Sequence, residues 1–250
     1  MALHPLAAHF AAVADVYERG RPEYPRAAVG ALAAELGLVP GDPVLDLAAG
    51  TGKLSRALLA AGFDVTAVEP LPELRGLLAA KIGPERVLEG VAEAIPLSDA
   101  SVAAVTVADA FHWFDKPVAL AEIRRVLRPG GGLAVISMAP DWRDASWAHE
   151  LGTLLSGTRP QHPHFDGPPW SDAVHEVGGW SEPRNIRVTT HEPTSPERIA
   201  DHMQSMSWVA ALPPSERAEV MDRIRAIVAG GETPAVMPQH VNLGLTALIG

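Results

Sequence analysis

The chain reads as an α/β protein built on a doubly wound, mostly parallel sheet, and three observations carry that reading. Up to residue 137, short apolar runs alternate with helical patterns across short joints, the mark of repeated βαβ units. The strand candidates are almost continuously apolar, as expected of a sheet covered on both faces. Glycine or a Pro-Gly pair closes several of the helical stretches.

In chain order, Ala27–Leu38 predicts a helix ended by Pro40-Gly41, and Val44–Leu47 a buried strand. Thr51–Ala61 predicts a helix stopped by Gly62, and Asp64–Val68 the next strand. Leu71–Ile82 is a helix ended by Gly83-Pro84, followed by a short strand over Arg86–Glu89. Ser101–Ala108 is a Val-rich strand. Lys116–Leu127 is a helix with Asp115 as N-cap and Leu120, Ile123 and Leu127 on one face. Gly131–Ser137 is the following strand.

The second half has another texture. Residues 140–183 hold Trp142, Trp147, Trp170 and Trp180 with Pro160, Pro163, Pro168 and Pro169, and predict an irregular or partly helical insertion. Ile186–Thr190 is a strand, and Ser195-Pro196 starts a helix. Val220, Met221, Ile224, Ile227 and Val228 form an amphipathic stripe, and Val241–Ile249 is the last strand candidate. The helices between these two strands form a candidate lid. The expected division is a helical segment over residues 1–40, a cofactor-binding core over 41–138, and cap insertions with the last strands of the same sheet over 139–250.

Composition narrows the function. The 250 residues carry 30 acids against 20 bases, a net charge of −10, and the only lysines are Lys53, Lys81 and Lys116. A surface that tracks phosphates needs the opposite excess, so nucleic acid is not the expected partner. The cluster Arg124, Arg125 and Arg128 reads as a solvated last helical turn. No apolar run approaches the roughly 20 residues of a membrane helix. The chain has no Cys, which excludes disulfides, thiolate zinc and a Cys nucleophile. Residues 1–20 lack a basic signal-peptide start. The expectation is a cytoplasmic protein, monomer or homodimer, whose partner is a small molecule.

The sharpest local signal is the run from Val44 to Ser55, a buried strand passing through Gly50-Thr51-Gly52 into a helix. The glycines let the backbone turn sharply, and the helix start offers free N–H donors. Glu69 stands seventeen residues beyond Gly52, at the tip of the next strand, where a carboxylate can accept both hydroxyls of a ribose. Two ligands suit this pattern, a dinucleotide or S-adenosylmethionine. Ser55 stands where the dinucleotide pattern wants Gly or Ala, and Asp46 precedes the turn, where an acid suits a ligand with an ammonium group.

Here the sequence resembles the class I S-adenosylmethionine-dependent methyltransferases of the small-molecule group. The motifs are Val44–Gly52, Val65–Pro70, Glu89–Pro96, Asp109–Asp115 and Leu127–Gly132, in order, with Tyr17 to Pro25 and Ala110 to Asp115 adding to the likeness. The resemblance implies a seven-stranded, Rossmann-like sheet with helical cap insertions. It implies that Asp46, Ala48, Gly50 and Gly52 hold the methionine part of the cofactor, Glu69 and Pro70 the ribose, and Ala92 and Glu93 the adenine. Asp109, Ala110 and Phe111 would line the cofactor at the fourth strand's tip, and Tyr17 and Arg21 would close over the methionine end. S-adenosylhomocysteine would be the product. Ala48 stands where glycine is usual, and Val91 where an acid often meets the adenine amino group.

Methyl transfer is an in-line displacement that asks mainly for alignment and exclusion of water. His112, just after the fourth strand, is the candidate base for a hydroxyl acceptor, with an ordinary pKa near 6.5. Trp113, Arg143, Met206 and Trp208 are the candidate acceptor contacts. His162-Pro163-His164-Phe165-Asp166 has two imidazoles and a carboxylate, but Pro163 limits their convergence, so no metal is expected. The expected activity is methyl transfer to a small organic acceptor, with a hydroxyl or carboxylate oxygen favoured. The competing readings are a nicotinamide-dependent oxidoreductase and a non-catalytic binder of S-adenosylmethionine.

Overall fold

The computed structural model covers residues 4–159 and 162–249, which leaves Pro160 outside the described residues. The N-terminal segment carries α1 (Pro5–Ala8), a 3₁₀ turn over His9–Val13, α2 (Ala14–Gly20) and α3 (Arg26–Leu36). The core follows with β1 (Pro43–Leu47), α4 (Lys53–Ala60), β2 (Asp64–Val68), α5 (Pro72–Ile82), β3 (Val87–Leu88), β4 (Val102–Ala108), α6 (Lys116–Val126) and β5 (Leu127–Pro140). The second half adds α7 (Ala148–Thr158), α8 (Pro163–Asp166), α9 (Trp170–Val177), β6 (Arg184–Pro193), α10 (Pro196–Gln204), α11 (Ser207–Ala210), α12 (Pro214–Gly230) and β7 (Val236–Ala247).

The seven strands lie in the order β3-β2-β1-β4-β5-β7-β6. The first five are parallel, and β7 runs antiparallel between β5 and β6. Strand order reverses between β1 and β4, and the strands' carboxyl ends part there to leave a crevice. Leu45, Leu47, Val105 and Val107 pack toward α6 and α9, while Val44, Val65 and Ala104 pack toward α3 and α4. Burial on both faces explains their continuous apolar character.

Two departures from expectation have physical reasons. Within the stretch expected to be irregular or partly helical, α9 serves as a covering helix of the sheet: Ala173 and Val174 are buried against the α6 side, with Trp170 and Val177 packed beside them. Those four positions follow i, i+3, i+4 and i+7 spacing, but two helical turns among prolines carry little signal. β6 is also twice as long as its apolar patterning and β7 starts five residues earlier than expected, because the ribbon pairs Arg184–Pro193 with Val236–Leu245 while its outer face stays wet.

α10 to α12 are inserted between β6 and β7 and pack with α7 around Met203, Ile224, Val228 and Trp147. Ser195 caps α10 by accepting from the Arg198 N–H at 3.3 Å. Asp115 stands at the N-cap of α6, but its side chain makes no capping bond; instead its own N–H donates to Glu93 Oε1 at 2.8 Å. Among the described residues no helix is long and apolar enough to cross a membrane.

Candidate functional site

The turn after β1 takes its shape from three left-handed residues, Ala48 (φ 57°), Gly50 (φ 59°) and Gly52 (φ 86°). A Cβ on Gly50 would meet nothing, so the turn is open on that side, whereas a Cβ on Gly52 would stand 2.5 Å from Leu78 Cδ1. Ala48 holds a conformation that costs an L-residue about 1–2 kcal/mol, which accounts for the usual glycine. Ala48→Gly is therefore expected to raise Tm by about 1–4 °C, the relief being partly offset by greater freedom of the unfolded chain. A lower Tm in thermal unfolding refutes strain at this position.

Asp46 and Glu69 flank the turn with different tasks. Asp46 is buried beneath it and accepts from Ser55 Oγ at 2.5 Å and Thr106 Oγ1 at 3.3 Å. It ties α4 to β4 and does not line the cleft. Burial, only partly countered by those hydroxyls, raises its pKa to about 6. Ser55 is thus explained as the partner of Asp46. Glu69, 4 % exposed, does line the cleft. Its Oε2 accepts from the Gly50 N–H at 2.8 Å and its Oε1 from the Leu71 N–H at 2.9 Å. Each oxygen keeps a further lone pair for a ligand hydroxyl. Burial, opposed by these amides and by Arg75, lifts its pKa to about 7.

The N-terminal segment roofs the cleft. His4, Ala7, Phe10 and Tyr17 line it together with Ala48, Gly50, Glu69, Pro70, Ala92, Glu93, Asp109, Ala110 and Trp113. Phe10 meets Tyr17 and Trp113 edge-on, with centroids 5.8 and 6.4 Å apart. Burial raises the Tyr17 phenol to about 12. Arg21 lies over the Tyr17 ring at 5.3 Å and donates from Nε to Ser205 Oγ at 2.9 Å, so it braces the roof against α10 and is not among the cleft's lining residues. Asp109 has φ 52°, and it accepts from Tyr24 OH at 3.0 Å and the Met138 N–H at 3.2 Å. Burial raises its pKa too. A salt-bridge network anchors the roof: Lys53 pairs with Glu23 at 2.8 Å, Arg56 with Glu23 at 2.7 Å, and Glu18 joins Lys53, Arg56 and Lys81.

The cleft is a concave site, partly open to solvent, with mainly apolar and aromatic walls and a few convergent acidic groups, the character of a small-ligand site. Sequence reasoning missed His4, Phe10, Leu71 and Leu74 in its walls. No local motif marks the N-terminal pair, because they reach the site only by folding over the sheet edge.

Comparison with known proteins agrees with this geometry. Residues 45–135 match the family model described as a methyltransferase domain. An uncharacterized methyltransferase of Mycobacterium tuberculosis is 37% identical over 222 residues, covering 88% of this chain and 85% of that protein. The chain is a class I S-adenosylmethionine-dependent methyltransferase. An uncharacterized methyltransferase-like protein of Schizosaccharomyces pombe is 32% identical over 83% of this methyltransferase and 80% of its own length. The solved structure of a putative type II methyltransferase from Anaeromyxobacter dehalogenans superposes with a TM-score of 0.57 at 25% identity, covering 91% of this chain and 96% of that one. The nicotinamide reading and the non-catalytic one are set aside by this membership.

The methyltransferase has a second cavity that meets the cleft at Asp109 and Ala110. It is partly open to solvent and is lined by Phe111, His112, Lys116, His164, Trp170 and Asn242, among others. His112 therefore lies outside the first cleft. Burial, reinforced by repulsion from His164, His162 and Lys116, lowers its pKa to about 3, so it is neutral and a weak base at pH 7. Phe111 is likewise in this second wall, and Trp113 is in the first. Arg143 is not brought to either cavity: its side chain is 80% exposed and paired with Asp141 at 2.5 Å. Met206 and Trp208 belong to the lid's packing, with Trp208 against His162 and Phe165 at 5.4 and 5.7 Å.

His162 is buried, and its Nδ1 accepts from the His164 N–H at 3.2 Å. In the neutral ring Nε2 must then carry the proton and donate to Ser207 Oγ at 2.8 Å. Burial first, then nearby positive charge, lowers its pKa to about 4. The rings of His112, His162 and His164 pack edge-on or tilted, and among the described residues no three His, Asp or Glu side chains converge as metal ligands.

Proposed function

We propose that the cleft binds S-adenosylmethionine and that the enzyme transfers its methyl group to an oxygen of a small organic acceptor. The observation that carries this reading is the Glu69 carboxylate inside the cleft, held by two backbone amides and with lone pairs to spare for two ribose hydroxyls. The open side of Gly50 supports it, since a ligand can approach the backbone there. The chemistry of the walls also suits a sulfonium: Glu69, Asp109 and Glu93 are acidic, and Tyr17, Phe10 and Trp113 are aromatic. The burial cost that raises the pKa of Glu69 and Asp109 is relieved when a cation sits among them.

Glu69 and Pro70 would hold the sugar, Ala92 and Glu93 the adenine, and the Ala48–Gly52 turn the methionine part. Asp46 acts through the turn, by fixing α4 behind it. When bound, the cofactor supplies a sulfonium-activated methyl, whose carbon bonds the acceptor oxygen as the C–S electron pair returns to sulfur. The chain's own residues align the partners and exclude water; the roof of Phe10 and Tyr17 serves the second task. A hydroxyl acceptor needs a base, and His112 is a weak one, so an oxygen that is already anionic is favoured.

The test is thermal unfolding with added ligand. S-adenosylhomocysteine at about 100 times its Kd stabilises by about 2.7 kcal/mol, or about 5–10 °C for a chain of this size. NAD is expected to leave Tm unchanged. No response to S-adenosylhomocysteine at millimolar concentration defeats the proposal.

A further inference from the structure

The two adjoining cavities differ in charge. The cofactor cleft has acidic and aromatic walls. Across Asp109–Ala110, the second cavity presents Lys116, His112 and His164. Among the described residues Lys116 makes no ion pair, and neither imidazole of His112 or His164 has a hydrogen-bond partner. Three basic side chains thus keep their donor capacity for something inside the cavity. The sole carboxylate in the wall, Asp109, is engaged by Tyr24 and the Met138 N–H. Asn185 and Asn242 stand on paired strands at the far side, with Asn242 oriented by Arg187 Nε at 2.8 Å.

We infer that this cavity is the acceptor site and that the acceptor is a small organic acid whose carboxylate is bound by Lys116, with His112 and His164 beside it. The inference rests on the proposed methyl transfer, since it takes the junction at Asp109–Ala110 as the place where donor and acceptor meet. One ammonium balances one negative charge, which matches a carboxylate better than a phosphate dianion. Burial, reinforced by repulsion from His164, His162 and Lys116, holds His112 neutral, and an anion beside it offsets the repulsive part. A carboxylate oxygen also attacks as the anion it already is, so no proton has to leave, and the weak basicity of His112 costs nothing.

The test combines binding with turnover, on the full chain and on Lys116→Met. Calorimetry with S-adenosylhomocysteine is expected to give the same affinity for both proteins, because Lys116 does not line the cofactor cleft. With methyl-labelled cofactor, benzoate, succinate and related acids are compared with their primary amides and phosphonates. Acids are expected to be methylated and amides not. Lys116→Met is expected to lose about tenfold or more in kcat/KM for the acids, mainly through KM, the loss of one charge-assisted contact. In the wild type, adding an accepted acid at pH 7 is expected to shift the Cε1–H NMR signal of His112 toward the protonated position. Amides or phosphonates accepted as readily as acids, a variant within twofold of wild type, or no acid accepted while S-adenosylhomocysteine binds would each overturn the inference. Failure of S-adenosylhomocysteine to bind either protein would instead defeat the proposed function itself.

Discussion

Glu69→Ala is expected to weaken S-adenosylhomocysteine binding by about 100-fold or more. Two hydrogen bonds to a charged acceptor are lost, each contributing about 1.5–3 kcal/mol, and the Gly50 and Leu71 amides lose the carboxylate that positions them. The pH dependence is a sharper mark. Ligand hydroxyls donate to the ionised carboxyl, whose pKa is about 7 in the free protein. Affinity should therefore rise about fivefold from pH 6 to pH 7 and about tenfold by pH 8, levelling off above that, and the alanine variant should give a flatter profile. Calorimetry across pH checks both; equal affinity for the two proteins removes Glu69 from the ribose site.

The same residue has an opposite effect on stability. Its folded pKa lies above the ordinary 4.5, so between pH 4.5 and 7 the folded chain holds a proton that the unfolded chain has released. The stabilisation is full below 4.5 and is lost as pH rises through 7, on the order of 3 kcal/mol in all. Asp46, raised to about 6, acts in the same direction. S-adenosylmethionine bound as proposed would offset the loss at Glu69 by giving its ionised carboxylate hydroxyl partners.

Gly52→Val is the second large effect. Its φ of 86° is closed to a β-branched residue, and the new Cβ would stand 2.5 Å from Leu78 Cδ1. Backbone strain of about 1–2 kcal/mol and overpacking of about 1–3 kcal/mol sum to roughly 2–5 kcal/mol. Leu78 is fully buried between α5 and β2, so it has nowhere to retreat. Chemical denaturation should show the midpoint falling with little change in slope. A variant as stable as wild type would mean that the turn can rearrange, and its fixed shape would no longer explain the site.

How much of this was legible beforehand follows from range. The parallel core was readable because its signals are local: Val44–Leu47 and Val102–Ala108 are buried on both faces and so apolar throughout, and Gly50, Gly52 and Glu69 lie within twenty residues on one strand–turn–helix–strand unit. The stretch holding α9 read only as irregular or partly helical because its stripe is two turns long, and the β6–β7 ribbon was underestimated because its outer face is wet.

The side on which a side chain falls was a different matter. Asp46 and Glu69 look alike as acids at strand tips, yet one faces α4 and the other the cleft. His112 and Trp113 are adjacent in a 3₁₀ turn, yet they point into different cavities. Arg143 looked like an acceptor contact and is paired on the surface with Asp141. Local patterning sets strand, turn and helix because those depend on neighbours a few residues apart. The roof of Phe10 and Tyr17 over the cleft, and the meeting of Lys116, His164 and Asn242 in one wall, join segments separated by some fifty to more than a hundred residues. Such contacts arise only when burial of the apolar faces brings those segments together, and no short-range periodicity encodes them.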